Sequence, residues 1–195
     1  DVPSFNLHPA STIDSLIVGD VISIDFDAVL AQVIDLESNS AVLRVLNGGS
    51  FGANKAVTLD RQIDMPPLTA KDHEALQLGL ARGIKTVALS FANRGTDVDQ
   101  MRVAAGSNAT VIAKIECRNG LINLDEIAEK ADALLIDRGD LSREVPIEQI
   151  PSMQKMITAK AKSHNRKVYV ATNLLESMVT APMPTRAEVN DVYNT

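Results

Sequence analysis

Hydrophobic and polar positions change their period near residue 67, and that change divides the chain. Before it, apolar residues come in short runs at Val21 to Ile24, Val29 to Leu36, Ala41 to Leu46 and Ala56 to Leu59. Runs of this length, rich in Val, Ile and Leu, predict strands, and Asn47-Gly48-Gly49 predicts a turn. Residues before about position 15 are polar and irregular. Residues 1–66 are therefore expected to form a small all-β module with its linker. Asp60 to Pro67 is that linker, because Pro66-Pro67 continues neither helix nor strand.

Beyond it, over residues 67–195, helical and strand periods alternate. Thr69 and Asp72 have capping-box spacing, with Asp in place of the usual Glu or Gln. They open a helix carrying Leu76, Leu78 and Leu80 that stops near Gly83. Thr86 to Ser90 predicts a strand, and Thr96 with Asp99 predicts the start of a helix closing at Gly106. Thr110 to Ile115 is the next strand, followed by a helix from Asn123 and Glu126 through Ala131. Ala133 to Ile136, a helix over Ile150 to Ser163, and Val168 to Ala171 continue the series. Leu174 to Val179 reads as helical, Pro182 and Pro184 interrupt it, and Thr185 with Glu188 caps a last helix. Strands alternating with helices in this way imply right-handed crossovers and a parallel sheet. A doubly wound open sheet and an arc of a (β/α)8 barrel both fit, and both gather function at the carboxyl ends of the strands. A full barrel takes about 250 residues, so four such units make half of one.

Composition narrows the function. Hydrophobic residues make up 45% of the 195 residues, enough for a packed core, whereas aromatics are only 3% and Trp is absent. The core is thus expected to be aliphatic, with Met153, Met156 and Met178 in it. A net charge of −6 provides no dense basic face, which argues against nucleic-acid or membrane-surface binding but leaves room for a small anion. The lone Cys117 forms no intrachain disulfide and reads as a buried, inert thiol in a reducing compartment. No basic-then-apolar leader opens the chain and no apolar run reaches bilayer length, so a soluble, cytoplasmic location is expected. His73 and His164 read as surface residues.

The candidate chemistry lies at the strand ends. In Thr110-Val111-Ile112-Ala113-Lys114-Ile115-Glu116 a buried strand ends in a lysine and a glutamate two positions apart, which alternation directs to one side. The other strands end at Ser90, at Asp137-Arg138-Gly139-Asp140 and at Thr172. In a parallel sheet these ends share a rim. Glu116 and Asp140 suit a hard divalent cation such as Mg2+, Lys114 suits charge developing on a transferred group, and Gly139 lets backbone amides approach an anion. Each also has an ordinary role: Asp140 or Thr172 as a helix cap, Glu116 with Arg138 as an ion pair.

These residues lie in the run AKIECRNGLINLDEIAEKADALLIDRGDLSREVPIEQIPSMQKMI, followed by VYVATNLLESM and PTRAEVNDV. Together they resemble the pyruvate kinase signatures SKIEN, ARGDLG, ATQMLESM and PTRAE-D at matching intervals. VLNGGSFGANKAVTL and LTAKDHEALQLGLARGI resemble the segment where that family's small β domain returns to its barrel. The resemblance covers roughly residues 16–195. It implies the barrel rather than the open sheet, as a partial (β/α)8 barrel beside part of the small β domain. It implies Mg2+-dependent phosphoryl transfer between phosphoenolpyruvate and ADP, giving pyruvate and ATP. Lys114 would meet the phosphoryl group and the enolate oxygen, and Glu116 and Asp140 would ligate Mg2+. The Gly139 and Asp140 amides and the Thr172 hydroxyl would hold the substrate carboxylate, with Thr172 near the protonation step.

Asp137 stands where the family has Ala, Ser142 where it has Gly, and Cys117 where it has Asn. A third carboxylate at position 137 would repel an anion or recruit a further cation. The family's first three barrel strands, with a phosphate-binding arginine and the K+ ligands, have no counterpart here, nor do its eighth strand and C-terminal domain. The chain alone is accordingly expected to be inactive. A diverged Mg2+-enolate enzyme, such as a lyase on a pyruvate-type acid, and a non-catalytic fragment are the competing readings. A homo-oligomer is compatible with the sequence, which leaves effector and nucleotide preference open.

Overall fold

Burial alternates along the strand Thr110–Ile115, and the alternation shows which face meets the helices. The computed structural model describes residues 3–171 and 174–195, and the chain divides into two compact units, Asp1–Pro66 and Pro67–Thr195. In the first unit, β1 (Val21–Ile24), β2 (Val29–Glu37), β3 (Ser40–Asn47) and β4 (Val57–Leu59) form an antiparallel sheet in the order β3-β2-β1-β4. One face buries Ile22, Ile24, Val29 and Val33 together with Leu16. The Arg61 guanidinium donates to both carboxylate oxygens of Asp20, at 2.7 and 2.8 Å, and to the Ser15 carbonyl. These bonds hold the Asp20 carboxyl below its usual range despite its burial.

The second unit runs α1 (Ala70–Ala81), β5 (Thr86–Leu89), α2 (Gly95–Ala105), β6 (Thr110–Ile115), α3 (Arg118–Ile122), α4 (Leu124–Lys130), β7 (Ala133–Asp137), α5 (Arg138–Leu141), α6 (Ile150–Ser163), β8 (Lys167–Ala171) and α7 (Arg186–Tyr193). Its four strands are parallel, in the order β5-β6-β7-β8. Val111, Ala113 and Ile115 of β6 and Leu134 and Ile136 of β7 are buried in one core with Val98 and Met101 of α2, Ile127 of α4 and Ile157 of α6. Each Val, Leu, Ile or Met side chain so buried contributes roughly 1.5–3 kcal/mol. The opposite face carries the intervening residues Ile112, Lys114 and Leu135, which are only partly buried. Among the described residues no helix is long and apolar enough to cross a membrane.

Elements coded by local chemistry fall where the sequence places them. Thr69 and Asp72 cap α1 reciprocally, and Thr185 and Glu188 do the same for α7. Elements set by tertiary contacts differ. Helix α2 begins at Gly95, not from a Thr96–Asp99 box: the Asp97 carboxylate accepts from the Asn93 and Arg94 amides at 2.9 and 3.0 Å. Asp99 instead pairs with Lys130. Gly95 fixes that start, because a Cβ there would lie 3.0 Å from the Glu126 carbonyl oxygen. Helix α3 is an additional short turn. Asn123 does not cap α4 with its side chain, whose amide donates to the Asn93 carbonyl at 2.7 Å. The helical segment expected at Leu174 to Val179 is a 3-10 turn, Glu176–Val179. Leu76 and Met153 pack on the core, whereas Leu78, Met156 and Met178 are exposed. His73 is exposed, and His164 is half-buried beside Asp125.

Glu188 ties this 3-10 turn to α7. Its carboxylate accepts from the Ser177 amide and hydroxyl at 2.7 and 2.5 Å and from the Thr185 amide at 2.7 Å. Donors from Ser177, then Thr185, lower its pKa from 4.5 to about 2. A depressed carboxyl pKa gives stability that is present in full above 4.5 and is lost as pH falls through about 2. In a carboxyl-detected NMR titration Glu188 should therefore remain ionised at pH 3.5; a midpoint at the ordinary glutamate value would contradict this anchoring.

Candidate functional site

The Ile115–Ile136 pairing of β6 with β7 makes Glu116 and Asp137 the next neighbours along the two strands. Parity puts both on the face that carries Lys114. The Lys114 ammonium contacts Glu116 Oε1 and lies 3.3 Å from Asp137 Oδ2. One turn on, Asp140 of α5 brings a third carboxylate. Ligand oxygens of Glu116, Asp137 and Asp140 lie within 4.8 Å of one another.

Glu116 is the deepest member, its side chain fully buried. Its Oε2 accepts from the Phe91 amide at 2.6 Å. Its Oε1 touches the Lys114 ammonium and, among the described residues, accepts no regular hydrogen bond. Burial pushes the Glu116 carboxyl above its usual range, against the pull of Lys114 and of the Phe91 amide, and Asp140 adds to the push. Burial alone would lower the Lys114 pKa, but Glu116 and then Asp137 outweigh it and raise the pKa above the ordinary value.

The loop after β5 supplies the Phe91 amide by an unusual backbone. Phe91 has φ 49°, a left-handed conformation that costs a bulky residue of order 1–3 kcal/mol and persists only where its surroundings hold it. Asn93 Nδ2 donates to the Phe91 carbonyl at 2.9 Å, and the Ala92 amide donates to the Lys114 carbonyl at 3.3 Å. Cys117 belongs to the same support. Its thiol donates to Asn93 Oδ1 at 3.3 Å, and its sulfur caps α3 by accepting from the Gly120 amide at 3.4 Å. The thiol thus fills a capping position for which an Asn side chain is a stronger acceptor.

The arginines near the rim are engaged. Arg138 Nη1 donates to both carboxylate oxygens of Asp191 of α7, at 2.6 and 2.8 Å, and the expected Glu116–Arg138 pair is not found among the described residues. Arg143 pairs with Asp140 at 2.5 Å. Asp137 caps α5, accepting from the Asp140 amide at 3.4 Å. Asp140, for which a cap was one reading, lies inside that helix. Gly139 also lies in α5, and its carbonyl accepts from the Ser142 hydroxyl at 2.7 Å. Thr172 falls outside the described residues.

Three carboxylates against the Lys114 ammonium and the Arg143 guanidinium leave one negative charge in excess, and Glu116 Oε1 is a buried acceptor beside that ammonium. These features fit a hard divalent cation, which takes carboxylate oxygens at about 2.0–2.6 Å. Sequence reasoning placed Lys114, Glu116 and Asp140 in the candidate set but left Asp137 outside it. Parity alone did not reveal it, because 116 and 137 become neighbours only through the register of β6 against β7. The Phe91 amide had no signal at all, since a backbone donor is not written in side-chain chemistry.

A parallel βα sheet with lysine and carboxylates at its carboxyl rim defines an α/β protein with a candidate cation-and-anion centre. The family model "Pyruvate kinase, barrel domain" matches residues 4–195, and the chain belongs to the pyruvate kinase family. It is 44% identical to the pyruvate kinase of Methylorubrum extorquens over 161 residues, 82% of this chain and 34% of that protein. The Agaricus bisporus pyruvate kinase is 39% identical over 180 residues, 90% of this chain and 34% of that protein. The Aeropyrum pernix pyruvate kinase is 36% identical over 198 residues, 99% of this chain and 43% of that protein. The chain thus spans about a third to two fifths of the length of these relatives.

Burial, with smaller contributions from the neighbouring Glu144 and Glu116 carboxylates, pushes the Cys117 thiol up to about 11. At pH 8 iodoacetamide should alkylate the folded chain roughly a hundredfold more slowly than the urea-unfolded chain. Equal rates would show that Cys117 is not the buried cap described here.

Proposed function

We propose that this chain carries part of the catalytic centre for phosphoryl transfer between phosphoenolpyruvate and ADP, producing pyruvate and ATP, within a longer polypeptide. The observation that carries the reading is the contact between Lys114 and Glu116 beside Asp137 and Asp140, at the carboxyl ends of adjacent parallel strands. Family membership supports it. The parallel order β5-β6-β7-β8 is compatible with an arc of a (β/α)8 barrel.

Glu116 and Asp140 would hold Mg2+, which when bound neutralises and orients substrate oxygens. Lys114 lies beside those acids, where its ammonium meets the charge on the transferred phosphoryl group and the enolate oxygen. Phosphoryl transfer depends mainly on positioning and charge stabilisation, and a half-buried ammonium held by two carboxylates is positioned before substrate arrives. The Gly139 and Asp140 amides and the Thr172 hydroxyl are assigned to the substrate carboxylate. K+ is a further candidate cofactor, with its ligands supplied from elsewhere. The acid at position 137 favours one second reading, a diverged Mg2+-enolate enzyme such as a lyase acting on a pyruvate-type acid.

A coupled assay separates these readings. The complete polypeptide bearing this segment should form ATP and pyruvate from phosphoenolpyruvate and ADP with Mg2+, and residues 1–195 alone should form none. Lys114→Met in the complete polypeptide should lower kcat by about 10²–10³-fold. Unchanged turnover in that variant would overturn the assignment of Lys114, and a complete polypeptide silent toward ADP would favour the second reading.

A further inference from the structure

Asp137 has three relationships that the proposed reaction does not require. Its Oδ2 lies 3.3 Å from the Lys114 ammonium, its Oδ1 takes the Asp140 amide at 3.4 Å, and it shares the 4.8 Å cluster with Glu116 and Asp140. The first two partners are the groups assigned above to an incoming anion. The third relationship is that of a cation ligand. Its side chain is only 13% exposed, so solvent weakens these interactions little.

We propose that Asp137 is a built-in anionic ligand that sets the charge preference of the site. Its carboxylate occupies the Lys114 ammonium and the Asp140 amide in the absence of substrate, and it adds a third acid to the pair that would hold a divalent cation. The inference deepens the reading of Glu116 and Asp140 as a divalent-cation site and rests on it. Two consequences follow in opposite directions. The extra negative charge tightens the hold on the cation, because opposite charges in a partly buried site attract strongly. The same charge removes one positive unit from the cation-loaded site and competes for the anion's partners, so a doubly charged acid binds less well. Position 137 thereby selects for acids of lower charge or for ligands able to displace its carboxylate.

Asp137 also caps α5, and the test must separate that structural role from the electrostatic one. Asp137→Asn keeps a capping oxygen and removes the charge; Asp137→Ala removes both. Calorimetric titration of the 195-residue chain and both variants, first with Mn2+ alone and then with oxalate on the Mn2+-loaded protein, reads the two affinities. In both variants Mn2+ should bind about tenfold more weakly and oxalate about tenfold more tightly than in the parent chain, factors in the range found when groups around a metal site are altered. Unchanged affinities in Asp137→Asn, or a change confined to Asp137→Ala, would overturn the inference and leave the cation site standing. Weaker Mn2+ binding without tighter oxalate binding would also count against it. A parent chain that binds no Mn2+ would overturn both the inference and the reading beneath it.

Discussion

A carboxylate buried at the end of a parallel strand dominates the second unit. Removing an ionised carboxyl from water costs several kcal/mol unless charge and hydrogen bonds offset it. For Glu116 the Lys114 ammonium on one oxygen and the Phe91 amide on the other offset part of that cost. Lysine two positions earlier on the same strand places the ammonium on the side of the glutamate. The amide requires the loop after β5 to turn back over the strand end, and Phe91 adopts a left-handed backbone to deliver it. Asn93, Asn123 and Cys117 then hold that loop. Much of the local structure therefore follows from partnering one acid where water does not reach.

The same requirement explains why the site has chemical potential rather than only structural cohesion. A pair that merely closed a sheet edge would approach neutrality. Here Asp137 adds a second carboxylate against the same ammonium, Arg143 offsets Asp140, and Arg138 is bound to Asp191, so the cluster keeps one negative charge in excess. An excess of partly buried negative charge is costly without a cation. The shifted titration of Glu116 and Lys114 accords with a functional site at this rim.

Sequence reading succeeded where the code is local. The two reciprocal caps, the boundaries of Thr110–Ile115 and of Ile150–Ser163, and the common direction of Lys114 and Glu116 depend on residues a few positions apart. It failed where a distant segment decides. Helix α2 starts at Gly95 because α4 lies against that glycine, and Asp97 rather than Thr96 receives the loop amides. Helix α3 is a short turn capped by a thiol, a group with weak capping character, so nothing in the local pattern announced it. Met156 and Met178 were read as core from composition, but the helical face that exposes Met156 depends on where α6 packs. Asp137 lies between these cases. Its identity was conspicuous, yet its closeness to Glu116 follows only once the register of β6 against β7 is known. The resemblance to the family motifs implied roles for Lys114, Glu116, Gly139, Asp140 and Thr172 that spacing alone left open between catalytic and ordinary structural duty.

The most direct test of the central claim is anomalous diffraction from crystals of this chain equilibrated with Mn2+. The account predicts an anomalous peak between β6 and α5, with carboxylate oxygens of Glu116 and Asp140 at about 2.0–2.6 Å and the Lys114 ammonium beside it. A peak elsewhere, or none at this rim while the acids keep their present arrangement, would contradict it.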